Sequence, residues 1–260
     1  MTREPSAPLP WWWNASLIAL GLAMALFRLI PTEADPDLWG HLRFGLDTVA
    51  AGRVVHQDIY SYLTVGQPWI NHEWLAEVIM AIAWNAAGTS AVGVVAVKVA
   101  IGVAVAVVVC RHLIAREVPL LGALFLTAYG MAVILPGLRS LRPQAFTYLA
   151  FALLLVWIHR ASRGRVAWLA LAPPLMAAWA NLHGGFVAGL GILGVWVAAD
   201  AIRLRGCVKS LGDVQRAVVT LRMLDELDAP DVARTLRISP GHVAVLLHRA
   251  KANLLSCMTD

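Results

Sequence analysis

Residues 213–258 read DVQRAVVTLRMLDELDAPDVARTLRISPGHVAVLLHRAKANLLSCM, and their pattern sets the organisation of the rest of the chain. Val219, Leu221 and Leu224 lie at helical spacing and predict a first helix. Asp228, Ala229, Pro230 and Asp231 then supply a capping side chain with Pro in the first turn of a second helix. That helix buries Val232, Ala233 and Leu236, ends at Arg237 and turns through Ile238 to Ser239. Ser239 is placed to cap a third helix with Pro240 at its first position. Val243, Leu246, Leu247, Ala250 and Leu254 recur every three or four residues along one side of it. His242, Val245, His248, Arg249, Lys251 and Asn253 remain for the other face. A capped N-terminus beside exposed cations meets phosphate oxygens well, and a helix of this kind suits a major groove. The spacing is that of a helix-turn-helix; a three-helix bundle that binds another protein would satisfy it too.

The segment ISPGHVAVLLHRAKANL, residues 238–254, resembles the recognition helix of region 4 of extracytoplasmic-function RNA polymerase sigma factors. The similarity covers roughly residues 210–258 and includes QRAVVTLRMLDEL before the turn and APDVARTL in the motif's first helix. The resemblance implies that Arg237, Ser239, Gly241, His242, Val245, His248, Arg249 and Lys251 face DNA. It also implies promoter DNA, and the RNA polymerase core, as partners.

Outside this stretch the chain is too apolar for water. Hydrophobic residues make up 59% and charged ones 14%, so most of its 260 residues need lipid as their solvent. A net charge of +5 fits anionic lipid or nucleic acid alike. Cys110, Cys207 and Cys257 form no CxxC pair and no zinc spacing, so they are read as packing residues without a site. Near the start, Arg3 and the apolar run after it are read as an uncleaved membrane anchor, because the run is longer than a signal core.

Asn14–Ile30 is the first predicted crossing, with Trp11, Trp12 and Trp13 at the headgroup level. Ser90–Cys110, Val118–Leu135, Gln144–Ile158, Val166–Ala180 and Phe186–Ile202 follow, the fourth of these interrupted by Pro173 and Pro174. Trp74–Gly88 is short and carries Glu77, which favours a segment that only dips into the bilayer and a total of six crossings over seven. Lys98 needs a partner, and Glu77 is the nearest in sequence. Arg111, Arg116, Arg160, Arg163, Arg165, Arg203, Arg205 and Lys209 fall on one side, against Arg139 and Arg142 on the other. The bias places the C-terminal tail in the cytoplasm of a bacterial inner membrane. The expected architecture is therefore all-α: a multi-pass transmembrane bundle over 1–205, with a polar loop at 31–73, followed by a small cytosolic helix-turn-helix domain over 206–260.

The loop holds Asp35, Asp37, His72 and Glu73 close to its two membrane ends. A carboxylate there suits general-base work or a divalent metal beside a pyrophosphate. Residues 14–202 resemble membrane glycosyltransferases of the GT-C type. The resemblance rests on Asp35 to Gly45 (DPDLWGHLRFG), His72 to Leu75 (HEWL), Arg142 to Phe146 (RPQAF) and Trp179 to Gly185 (WANLHGG). It implies a polyprenyl-linked sugar donor, with Asp35 or Asp37 as the catalytic carboxylate and Glu73 beside it; no cofactor is expected unless this reading holds, when a divalent metal would serve. His183 in NLHGG is either a turn residue or a donor to a headgroup phosphate. Three readings stand together: a membrane-tethered DNA-binding protein, a glycosyltransferase with an appended tail, and a fusion of two unrelated coding regions at about Gly206.

Overall fold

The computed structural model describes residues 10–259, so Arg3 lies outside the described part. The described chain is all-α, with two isolated β-bridges and no strand. The described residues divide into two compact units, one formed by 10–157 and 168–189 and the other by 158–167 and 190–259.

The N-terminal unit contains α1 (Trp11–Leu29), α2 (Leu38–Ala51), α3 (Trp74–Ala86), α4 (Ala91–Ile114), α5 (Leu120–Arg139), most of α6 (Gln144–Ser162), α7 (Ala172–Leu182) and the start of α8 (Phe186–Ser210). Among these, α1, α4, α5, α6 and α8 are long and apolar enough to cross a membrane. Their outward surfaces are apolar: Phe27 on α1 and Phe125, Tyr129 and Val133 on α5 are each about two thirds exposed or more. Side chains of this size in such numbers suit hydrocarbon, not water.

The expected span Val166–Ala180 is instead a six-residue 3-10 helix, Val166–Leu171, followed by the eleven residues of α7. Pro173 and Pro174 fall in the first turn of α7, where a missing N–H costs nothing, and the chain before them tightens. At about 2.0 and 1.5 Å per residue the two pieces reach roughly 28 Å, close to the hydrocarbon thickness.

The stretch 31–73, read as a loop, contains a helix. Leu38, Leu42 and Gly45 are buried at i, i+4 and i+7 along α2. A Cβ at Gly45 would stand 2.1 Å from the Glu77 carbonyl oxygen, so glycine is what lets α2 lie against α3. The rest of the loop is ordered by Asp58, which accepts from Tyr60 N, Ser61 N and Thr64 Oγ1, and by a cluster of Phe44, Tyr60 and Trp69 with ring centroids 4.4 to 5.5 Å apart.

Lys98 does not pair with Glu77. Its ammonium donates to Pro31 O at 3.1 Å and Thr32 Oγ1 at 2.6 Å, satisfying a cation that is 3% exposed. A parallel bridge joins Glu33 to Ser140, and His183, just past α7, meets Thr147 near the start of α6. The ends of α1, α5 and α7 and the beginnings of α4, α6 and α8 thus gather at one end of the unit. Packing of Leu29, Ile101, Leu138 and Ala145 holds that end together.

The C-terminal unit continues α8 without a break through Gly206 to Ser210, then adds α9 (Asp213–Val219), α10 (Ala229–Leu236) and α11 (Pro240–Thr259). Its core is Val218, Val232, Ala233 and Val243, with Leu211, Val219 and Ala250 beside it. The predicted first helix ends early: Thr220–Leu224 is a π-turn, and Leu224, expected on one helical face with Val219 and Leu221, is 75% exposed while Val219 is buried. Asp228 occupies the N-cap of α10 but makes no side-chain capping bond, whereas Ser239 Oγ accepts from His242 N at 3.2 Å and caps α11 as predicted. A second correction concerns the cysteines. Cys207 and Cys257, fifty residues apart, form a disulfide that ties the end of α8 to the last turns of α11; no local spacing announced it.

Candidate nucleic-acid interface and polar pocket

Two places in the chain concentrate chemistry, one in each unit. In the C-terminal unit α10 and α11 are joined by a three-residue turn, Arg237 to Ser239. Arg237 takes a left-handed conformation, φ 55°, which ends α10 and turns the chain toward α11. Ile238 tucks under that turn against the core. Along α11, Val243, Leu247, Ala250 and Leu254 follow at i, i+4, i+7 and i+11 and turn inward. Gly241, Val245 and His248 repeat at i, i+4 and i+7 on the opposite face, with His242 and Arg249 along one flank and Lys251 along the other.

All eight residues expected at a DNA-facing position, Arg237, Ser239, Gly241, His242, Val245, His248, Arg249 and Lys251, are exposed. Residues 240–259 include no Asp or Glu, while Asp213, Asp225, Glu226, Asp228 and Asp231 all lie earlier. The cations therefore stand on an element free of opposing charge. The positive end of its dipole lies at the capped first turn, and both features attract phosphate.

In the N-terminal unit the polar residues meet where the helix ends gather. Arg142 binds both predicted carboxylates: Nε lies 2.7 Å from Asp35 Oδ2 and Nη2 2.6 Å from Asp37 Oδ2. The Asp37 backbone N–H bonded to Asp35, and then the guanidinium, hold the Asp35 carboxyl below its ordinary range. Glu73 does not join that pair. It lies with His41, His72 and His183, each 3.7 Å from one of its oxygens.

Glu77, 2% exposed, accepts from His41 Nδ1 at 3.0 Å and from Asn71 Nδ2 at 2.5 Å. For His41, burial works against protonation, but the Glu77 and Glu73 carboxylates outweigh it and raise the imidazole above its ordinary value. His183 is lowered, chiefly by burial. Its Nδ1 accepts from Gly185 N and from Thr147 Oγ1, both at 2.9 Å, while Thr147 in turn accepts from Trp179 Nε1. That chain fixes the proton on Nε2, facing Glu73. Tyr60, at the edge of this region, is pushed up to about 12 by burial and then by its bond to Asp47.

Asp37, His41, Glu73, Arg142, Gln144 and His183 line a cavity of about 500 Å³. Asp35 stands behind it on Arg142 and does not line it. Ion pairing and acid–base chemistry on a small polar or charged ligand are within reach of this set. The sequence reading named Asp35, Asp37 and Glu73 but assigned no role to His41, Asn71 or Arg142. The signal for Glu77 was present: a lone carboxylate inside an apolar helix must be satisfied by something specific.

Residues 201–254 match the protein family Sigma-70, region 4. The matched part runs from the last turns of α8 through most of α11 and is about a fifth of the chain; the GT-C resemblance of residues 14–202 has no comparable match. No curated protein and no solved structure matches the chain.

Proposed function

We propose that the chain is a membrane-tethered DNA-binding protein whose C-terminal unit contacts promoter DNA as sigma-70 region 4 does. The observation that carries this reading is the match over 201–254 together with the exposure of every DNA-facing position on a capped helix that holds no acid. Arg237, Arg249 and Lys251 supply phosphate contacts. Ser239, His242, Val245 and His248 lie where base edges come within reach.

Tethering is supported by the five long apolar helices and by the basic residues. If Val166–Leu182 also traverses the bilayer, Arg111, Arg116, Arg160, Arg163, Arg165, Arg203, Arg205 and Lys209 share one side, which makes that side cytoplasmic. The RNA polymerase core is then a second partner on the same side. The six crossings that result put both chain ends in the cytoplasm and the polar pocket outside.

The test is a titration of full-length protein in lipid nanodiscs with labelled promoter-like duplexes over a range of salt. Binding should weaken linearly in log salt. The double substitution Arg249→Ala, Lys251→Ala should flatten the slope by about two, at ~0.9 per phosphate contact. His242→Ala should change which sequences bind best. Absence of binding at low salt, or a slope unmoved by the double substitution, would refute the reading.

A second reading, transfer of a sugar from a polyprenyl-linked donor, has one observation in its favour. The cavity presents Asp37, Glu73 and Arg142 together at the helix ends. Loss of transfer in Asp37→Asn membranes would support it; transfer unchanged in that variant would remove it.

A further inference from the structure

We propose that the N-terminal unit binds a divalent transition-metal ion between His41, Glu73 and Glu77. This does not depend on the DNA-binding reading. One ligand atom from each of the three side chains falls within 4.8 Å of the other two. What separates them from an ordinary acidic cluster is how their oxygens are divided.

Glu73 turns Oε2 toward His41 Nδ1 at 3.7 Å, while its Oε1 faces Nε2 of both His72 and His183. Glu77 repeats the pattern: Oε1 lies 3.0 Å from the same His41 nitrogen, and Oε2 accepts from Asn71 Nδ2. Glu77 is thus held from behind through one oxygen by Asn71, Glu73 has one oxygen facing His72 and His183 at 3.7 Å, and each carboxylate presents its other oxygen to the same imidazole nitrogen. Metal sites use this second layer to orient their carboxylate ligands.

Three ligands leave a coordination position open. Because His41 and Glu73 line the cavity of about 500 Å³, that position faces it. His183 stays outside the ligand set, since its Nε2 carries a proton and not a free lone pair. The charge balance also asks for a cation: Asp37 and Glu73 line the cavity with Asp35 and Glu77 behind it, and the Arg142 guanidinium is taken up by the two aspartates. One imidazole with two carboxylates fits Zn²⁺ or a neighbouring first-row dication better than Mg²⁺ or Ca²⁺, which prefer all-oxygen shells. Binding replaces the proton that His41 Nδ1 shares with Glu77, and that proton leaves to solvent.

The test is a Zn²⁺ titration of the detergent-solubilised full-length chain, freed of any histidine tag and stripped with a chelator. One ion per chain is expected. Co²⁺ in its place should give the absorption of a nitrogen–oxygen site without sulfur charge transfer, which separates this site from one built on Cys110. Glu73→Gln and His41→Ala should each weaken binding by more than about tenfold, and Asn71→Ala, which removes only the support behind Glu77, by about tenfold. Glu73 is the safer position to alter, since Glu77 is 2% exposed and its replacement endangers the fold. His56→Ala, outside the cluster, should bind as the unaltered chain does. An unaltered chain that holds no stoichiometric Zn²⁺, or equal affinity in Glu73→Gln and His41→Ala, would overturn the proposal.

Discussion

In the N-terminal unit Glu77 and Lys98 are among the least exposed side chains, at 2% and 3%, while Phe125 and Val133 stand 69% and 67% exposed. In the C-terminal unit Val218 and Val232 are fully sealed, and the cations Arg237, Arg249 and Lys251 stand at the surface. Under the proposed tethering, one polymer is folded for two solvents. In the unit whose surface is apolar, charge is hidden and paired, as Lys98 is with Pro31 and Thr32; in the unit whose surface is polar, charge is displayed and apolar groups are hidden. The change of composition falls within α8, which runs through Gly206 uninterrupted. That helix is apolar at Val195 and carries Arg203, Arg205 and Lys209 further on, which suits a passage from lipid to water within one regular element.

That contrast can be broken by placing the wrong chemistry in each unit. Val232→Asp puts an unpaired carboxylate into the water-side core and should cost about 4 kcal/mol or more. Hydrogen exchange of the amides of α9 to α11 in the full-length protein would then lose its protection. Val133→Lys should cost roughly 3 kcal/mol of membrane insertion if α5 faces lipid there, read as the inserted fraction in a translocation assay; an aqueous surface would leave it unchanged.

Smaller effects sharpen the picture at the helix-turn-helix. Ser239→Ala removes the oxygen that caps α11 and should lower the stability of the C-terminal unit by about 1 kcal/mol, measured by denaturant unfolding. Arg237→Gly should do the reverse and raise stability by up to about 1 kcal/mol, because φ 55° suits glycine better than any residue with a Cβ. DNA affinity should fall in the same variant. Stability and binding moving in opposite directions would identify Arg237 as a residue kept for its charge.

Much of this contrast was legible in the sequence because both solvents write a period. Long apolar runs with at most one charge marked α1, α4, α5, α6 and α8, and Val243, Leu247, Ala250 and Leu254 marked the inner face of α11. Helix α2 was hidden because its polar residues dominated a stretch whose buried ladder is Leu38, Leu42, Gly45 and Thr48, with a glycine and a threonine where larger apolar side chains would have been noticed. Leu224 was misplaced because the π-turn over Thr220–Leu224 shifts the phase of the helix, a change that side-chain spacing does not announce. In the pocket, Asp35 and Asp37 were noticed as a local pair, but the partners that organise it are remote in sequence: Arg142 lies 105 residues from Asp37, and Glu77 lies 36 from His41. Such contacts come from the packing of α2 against α3 and from the gathered helix ends, which no local pattern specifies.

The most direct measurement places a photo-activated cross-linking residue at position 248 of the full-length protein in living cells, with position 129 on α5 as the comparison. The account predicts that chromosomal DNA is captured from position 248 and lipid from position 129. Capture of no DNA from 248, or labelling of that position by a membrane-impermeant reagent added outside intact cells, would contradict it.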